Sequence, residues 1–289
     1  MSYKTVLVHI DDGASAGARI DLAAAIARSQ GGHLVGVALT GVSRFLYQNV
    51  TNIDDDPNLA LHLSFLRERA GHALTGFEQR MAALGLDGFE QSVVDDEAGG
   101  GVSLLARYAD LVVIGQLNPA QPSSAVMSDF PAYVVIHSGR PVLIVPYAGA
   151  AAAAPRRALI SWNASKEASR AVSAALPLLK QAAEVHIVVL DAEQNAAEHG
   201  ADPGAEIALY LRRHGVIGNI ALRQSPRQGG RGRRRPGAVG DTLLSHAADL
   251  AADLLVMGAY GHSRFRETIL GGVTRTVLES MTIPVLMAH

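Results

Sequence analysis

The chain has 289 residues, with 25 Lys and Arg against 27 Asp and Glu for a formal charge of −2, and it has no cysteine. That length predicts two domains of roughly 140 residues, each with its own core. The near-neutral charge exerts no global pull toward nucleic acid, and the lack of Cys excludes disulfides, thiolate metal sites and cysteine nucleophiles and fits a reducing compartment. No apolar run reaches the ~20 residues of a membrane helix, and "MSYKTVLVHIDD" meets the acidic pair Asp11 and Asp12 too early for a secretory signal. The expectation is therefore a cytoplasmic protein with no membrane partner.

Along the first half, short β-branched runs predict strands at 4–10, 33–39, 89–94, 110–115 and 141–145, and helical patterns predict helices at 15–29, 57–84, 102–108 and 130–137. A low-complexity joint, "AGAAAAAP" at 148–155, separates this half from a second one. There the predicted strands fall at 157–162, 184–190, 219–224, 253–257 and 283–287, and "VTRTVLES" opens a helix after Gly272. Runs such as "DLVVIG", "DLLVMG" and "PVLIVP" are apolar on both strand faces, as a sheet covered on both sides requires. Alternating strands and helices then give an α/β fold of parallel, doubly wound sheets, whose ligands bind at the carboxyl ends of the strands where the strand order reverses.

The halves are copies of one unit. "DLVVIGQLNPAQPSSAVMSDFPAYVVIHSGRPVLIVPY" from Asp110 aligns without a gap on "DLLVMGAYGHSRFRETILGGVTRTVLESMTIPVLMAH" from Asp253, placing Gly115 on Gly258 and Pro141 on Pro284. Domains at 1–148 and 156–289 follow. Their last strands, "PVLIVP" and "PVLMAH", are apolar runs predicted at sheet edges, so pairing of the halves as an internal pseudo-dimer is expected, with a homodimer as the alternative.

The second half holds Gly258, Gly261, Gly271 and Gly272 between its fourth strand and its last helix. A loop without Cβ atoms leading into a helix start offers backbone N–H groups and a positive dipole end to a polyphosphate. The same glycines also read as ordinary turn residues of a glycine-rich chain. At the same register the first half carries Asn118, Ser128 and Asp129. A carboxylate at Asp129 repels a phosphate, and it also reads as the cap of the helix beginning at Phe130.

With its repeat, strand pattern and spacing "GAYGHSRFRETILGG", the chain resembles a tandem universal stress protein. The resemblance implies, for each half, a five-stranded parallel sheet flanked by helices, Rossmann-like and similar to adenine nucleotide alpha-hydrolases. It also implies an ATP site, with Mg, at Gly258, Gly261, Gly271, Gly272 and Val273, with Thr274, for the phosphates, and at Ser161, Asn163, Leu190 and Met257 for adenine and ribose; His262, Ser263 and Arg264, just beyond Gly261, read either as contacts to the terminal phosphates or as solvated loop residues. Two positions depart from that family's pattern: Asn163 stands for the usual Asp, and Gly272 for Ser or Thr.

The basic segment "RQGGRGRRRPGAVG" leaves the third strand of the second half at the same edge, so Arg231, Arg233, Arg234 and Arg235 read either as a solvated loop or as arginines that fold over phosphate. No aromatics interleave them, which argues against nucleic acid. His9 and His186 read as satisfied sheet histidines, and no His pair has zinc-ligand spacing. Trp162 reads as an adenine stacker or a core cap. With no nucleophile and base at the loop, the expected function is a stress-response protein that binds ATP in its second half and regulates or protects, at most hydrolysing slowly. The alternatives are a nucleotide hydrolase or transferase of a related fold, and a nucleotide-free interaction module using the helix at 57–84.

Overall fold

The computed structural model describes residues 2–44, 57–121, 126–149, 154–195, 202–226, 237–261 and 272–289. It divides into two units, Ser2–Ala148 and Gly149–His289. The first runs β1 Thr5–Ile10, α1 Ala16–Gln30, β2 His33–Leu39, α2 Pro57–Ala83, β3 Phe89–Val94, α3 Ala98–Leu105 with a 3-10 turn Ala106–Tyr108, β4 Leu111–Gly115, α4 Phe130–His137 and β5 Val142–Val145. Its strands lie in the order β3-β2-β1-β4-β5, all parallel.

The second unit runs β6 Arg157–Ser161, α5 Lys166–Leu179, β7 Glu184–Leu190, a 3-10 turn Ala192–Asn195, α6 Ala205–Arg213, β8 Gly218–Arg223, α7 Ala238–Asp249, β9 Leu254–Gly258, α8 Gly272–Ser280 and β10 Val285–Ala288. The order β10-β9-β6-β7-β8 is the same topology, again parallel throughout. Each unit is thus the expected five-stranded doubly wound sheet.

Burial follows the sequence pattern. Every residue of β4, β5 and β10 is buried, whereas β3 and β8, last in order on their side, are mostly exposed, with Ile220 and Leu222 of β8 among the exposed residues. On β2 of the first unit, Gly36 exists for Phe77 of α2, whose ring would lie 2.7 Å from a Cβ there.

At the amino edge one device appears in both units. The Asp110 carboxylate accepts the N–H groups of Lys4 at 2.7 Å and Thr5 at 3.0 Å, and Asp253 accepts those of Arg156 at 2.8 Å and Arg157 at 2.9 Å. Each carboxylate fixes the start of the first strand against the start of the fourth.

One helix begins earlier than expected. α3 includes Gly99, Gly100 and Gly101, which lie ahead of the helix predicted at 102–108, because the Glu97 side chain caps it by accepting the Gly100 N–H at 2.6 Å. Close packing offsets the poor propensity: a Cβ on Gly99 would meet Tyr133 at 2.9 Å and one on Gly101 would meet Leu39 at 2.9 Å.

Candidate functional site

In the second unit β6 lies between β7 and β9, so the chain leaves this strand in opposite directions and a crevice opens beyond its carboxyl end. Ser161 is in register with Met257, and Gly258 with Ala288, while Leu190 ends β7 opposite Arg223. Ser161, Asn163, Leu190, Met257 and Gly258 are therefore brought together at the ends of three neighbouring strands. Met257 is buried, whereas Ser161, Asn163 and Leu190 are half-buried at the rim. Trp162 donates its N–H to the Val188 carbonyl at 2.9 Å, which prolongs the β6–β7 pairing.

Asn163 has a local task. Its Oδ1 accepts the Ser165 hydroxyl at 2.7 Å and the Ser165 N–H at 3.3 Å, and Ser165 caps α5 by accepting the Ala168 N–H at 3.1 Å. Asn163 thus sets the angle at which α5 enters the crevice.

The glycines divide by what fills the space a side chain would need. At Gly258 a Cβ would collide with the Ala168 nitrogen and lie 2.7 Å from the Glu167 carbonyl carbon, so the first turn of α5 rests on the strand end. At Gly261 a Cβ would sit 2.6 Å from Glu167 Oε2. Gly272, in contrast, opens α8 with more room, since among the described residues a Cβ there would meet only the Gly237 nitrogen, at 3.5 Å.

Thr274 is buried, and its hydroxyl oxygen accepts the Tyr260 N–H at 3.4 Å, which ties the strand-end turn to α8. Tyr260 has φ 57°, a left-handed conformation that this bond helps to hold. Thr276 donates its hydroxyl to the Gly272 carbonyl at 2.8 Å, and a Cβ on Gly237 or Gly240 would lie 2.7 Å from Thr276. The N-terminal turns of α7 and α8 therefore meet at this edge. Sequence reasoning missed the start of α7; its signal was the pair Gly237 and Gly240, three apart. His262, Ser263, Arg264, Gly271 and the arginines at 231, 233, 234 and 235 lie outside the described residues.

The equivalent edge of the first unit has different contents. Counting from β1 and β6, whose following helices α1 and α5 bury matching positions, His9 stands for Ser161, Asp11 for Asn163 and Arg19 for Ala171. The buried Arg19 guanidinium donates Nε–H to the His9 carbonyl at 2.8 Å, places Nη2 2.9 Å from Asp11 Oδ1, and would collide with a Cβ on Gly115. Gly115 is small for an internal arginine. Burial, with Arg19 adding to it, pushes the His9 imidazole down to about 4 against the opposing pull of Asp11. The His9 ring packs 5.0 Å from Phe130.

Sequence reasoning missed Arg19. The available signal was its place on the stripe Ala16, Ile20, Ala23 and Ala27, where every other residue is apolar. Asp129 also differs from the capping expectation. It occupies the cap position of α4, but its exposed side chain makes no capping bond, because φ −104° and ψ 7° already curl the backbone so that its carbonyl takes the Tyr133 N–H at 2.8 Å. Asn118 folds back to accept the Ala120 N–H at 3.0 Å.

Among the described residues no helix is long and apolar enough to cross a membrane, and no three His, Asp or Glu side chains form a metal-binding group.

The model of the universal stress protein family matches residues 156–289. A curated universal stress protein of Synechocystis sp. is 46% identical over 46 residues, a stretch that spans only 16% of each chain. Among solved structures, a universal stress protein from Archaeoglobus fulgidus covers 99% of this chain and 98% of its own at TM-score 0.68 and 15% identity. A functionally unknown protein from Pseudomonas aeruginosa covers 99% of this chain and 92% of its own at TM-score 0.59 and 14% identity. At such identities these two structures speak to the fold alone. The second half is thus a universal stress protein domain by its family model, and the first half repeats the same five-stranded parallel unit.

Proposed function

We propose that the second unit binds ATP with Mg²⁺ and that the chain acts in a cytoplasmic stress response as a regulatory or protective protein rather than as an enzyme. The observation that carries this reading is the start of α8 at Gly272, set beside the start of α7, where a Cβ would, among the described residues, meet a single atom at van der Waals distance. The first N–H groups of a helix have no partner within it and carry its positive end, so two such ends at one sheet edge favour a polyphosphate. Gly272 and Val273 supply these groups, and Thr274 holds the turn from which the loop departs. Ser161, Asn163 and Leu190 line the adenosine side, with Met257 as its buried floor. His262, Ser263 and Gly271 complete the phosphate loop in this reading. The first unit takes no nucleotide, since Arg19 fills its crevice and Asp129 adds an exposed carboxylate.

Gly272→Asp tests the reading. The site has room for the side chain, and an acid at a helix start is favourable, so the fold should be unaffected. A carboxylate 5–6 Å from a phosphate costs about 3 kcal/mol per charge at an effective dielectric near 20, so ATP binding should disappear in calorimetric titration. A Gly272→Asp protein that binds Mg-ATP like the wild type overturns the assignment. Steady phosphate release over hours would favour a hydrolase, and a melting temperature unmoved by millimolar ATP would favour an interaction module.

A further inference from the structure

In the first unit a cavity of about 570 Å³, within the size range of small-ligand sites, lies between α1 and α2. Buried Ile20 and Phe77 form its apolar lining, with Ala16 and Gly17 on the α1 side and Ala73 and Gly76 on the α2 side. Gly76 sits inside a 27-residue helix, where glycine is a poor former, and a Cβ on it would meet nothing within 4 Å. No neighbour explains its missing side chain. The space beside it is the cavity, and Phe65, 59% exposed, stands on the same helix at its mouth.

The two ends invite opposite charges. At one, Asp21 accepts Nε and Nη2 of Arg80 at 2.5 Å each, which fixes the guanidinium and leaves Nη1 beside Gly17, 2.8 Å from where a Cβ would be. Among the described residues Nη1 makes no hydrogen bond, so a preorganised donor is open to a carboxylate. At the other end stand Asp11, Asp12 and Glu68, with Arg69 and His72 on the same stretch of α2. Asp11 is committed to Arg19 at 2.9 Å and Glu68 faces His72 at 3.7 Å, whereas Asp12 is exposed and has no ion pair among the described residues. With Asp11 and Arg19 cancelling, Asp12 and Glu68 exceed Arg69 even when the about half charge at the start of α1 is added, so this end favours a cation. Gly13 and Gly17, both on the α1 side, are four residues apart, about 6 Å at the helical rise. We propose that this cavity binds a short aliphatic zwitterion, with its carboxylate on Arg80 Nη1, its ammonium at Asp12 and its chain on Ile20 and Phe77. The site is independent of the nucleotide reading of the second unit.

The probe is 6-aminohexanoate, whose six bonds from nitrogen to carboxyl carbon span about 7 Å when extended. Titrated into the full chain and followed by two-dimensional amide NMR, it should shift Gly17 and Gly76 and leave the amides of the second unit unmoved. Hexanoate and hexylamine keep one charge each and should bind about 5-fold more weakly, the upper value of an exposed ion pair. Gly76→Leu fills the cavity from a position where a Cβ has room, so it should weaken the probe by about 10-fold or more with an unchanged or raised melting temperature. Asp12→Asn, on an exposed side chain, should weaken 6-aminohexanoate by about 3-fold and leave hexanoate unchanged. A probe that shifts neither glycine at tens of millimolar, or that binds Gly76→Leu like the wild type, overturns the site. Hexylamine or hexanoate binding as tightly as the zwitterion, or an Asp12→Asn protein with undiminished affinity, overturns the ligand class.

Discussion

Arg19 and Ala171 occupy the same place on equivalent helices, and that difference is one of several between the carboxyl edges of the two units. Arg19, Asp11 and His9 form a set in which the guanidinium presses on Gly115, where the second unit has the first turn of α5 against Gly258. A histidine inside such a set has a measurable consequence. His9 titrates near 6.5 in the unfolded chain and about 4 in the folded one, because burial and the Arg19 charge disfavour the imidazolium more than Asp11 supports it. As pH falls below 6.5 the unfolded chain takes up a proton that the folded chain refuses, so stability of the first unit drains away between pH 6.5 and about 4. Asp11, whose carboxyl is held low by Arg19 despite its burial, adds its own loss only at still lower pH. Thermal unfolding at pH 7 and near pH 4.5 should show a larger fall for the wild type than for His9→Gln. Parallel falls would mean that His9 is not the titrating group.

At the scale of elements, most strands were legible in the sequence because a fully covered parallel strand must be apolar on both faces, and eight such runs stand out, with the more exposed β3 and β8 marked by their β-branched and aromatic residues and flanking turns. The glycine helix α3 was not legible, since its stability comes from Glu97 at its cap and from Tyr133 and Leu39 against its bare backbone, partners 2 to 60 residues from the nearest of its three glycines. In the candidate site, the spacing of Gly258, Gly261 and Gly272 located the edge, yet it could not tell a glycine emptied for a ligand from one pressed by a helix. Gly258 is pressed. Gly258→Ala would drive a methyl into the backbone of Glu167 and Ala168, which has no side-chain freedom to yield. About 2–3 kcal/mol of stability should be lost in the second unit, read as faster hydrogen exchange of the β9 and α5 amides with those of the first unit unchanged. Protection that stays at wild-type levels would show that α5 can slide away from the strand.

For the whole molecule, two copies of one fold are expected to give one nucleotide per chain. Titration of the wild type with Mg-ATP should reach a stoichiometry near one, and Gly272→Asp should reduce it to zero. A value near two would show that Arg19 leaves its crevice to admit ligand, and a Gly272→Asp protein that retains one site would place that site in the first unit.

The paired carboxylates at the opposite edge point to a rule for engineering. Asp110 and Asp253 each clamp two amides at the foot of the first strand, and the distances agree to within about a tenth of an ångström from unit to unit. The differences between the halves at His9, Asp11 and Arg19 against Ser161, Asn163 and Ala171 stand at the far rim, some five residues along the strands. The sheet behaves as a chassis with a bolted base and interchangeable fittings. Exchanging rim residues between the halves, with the base left alone, is the rational way to move ligand specificity from one to the other.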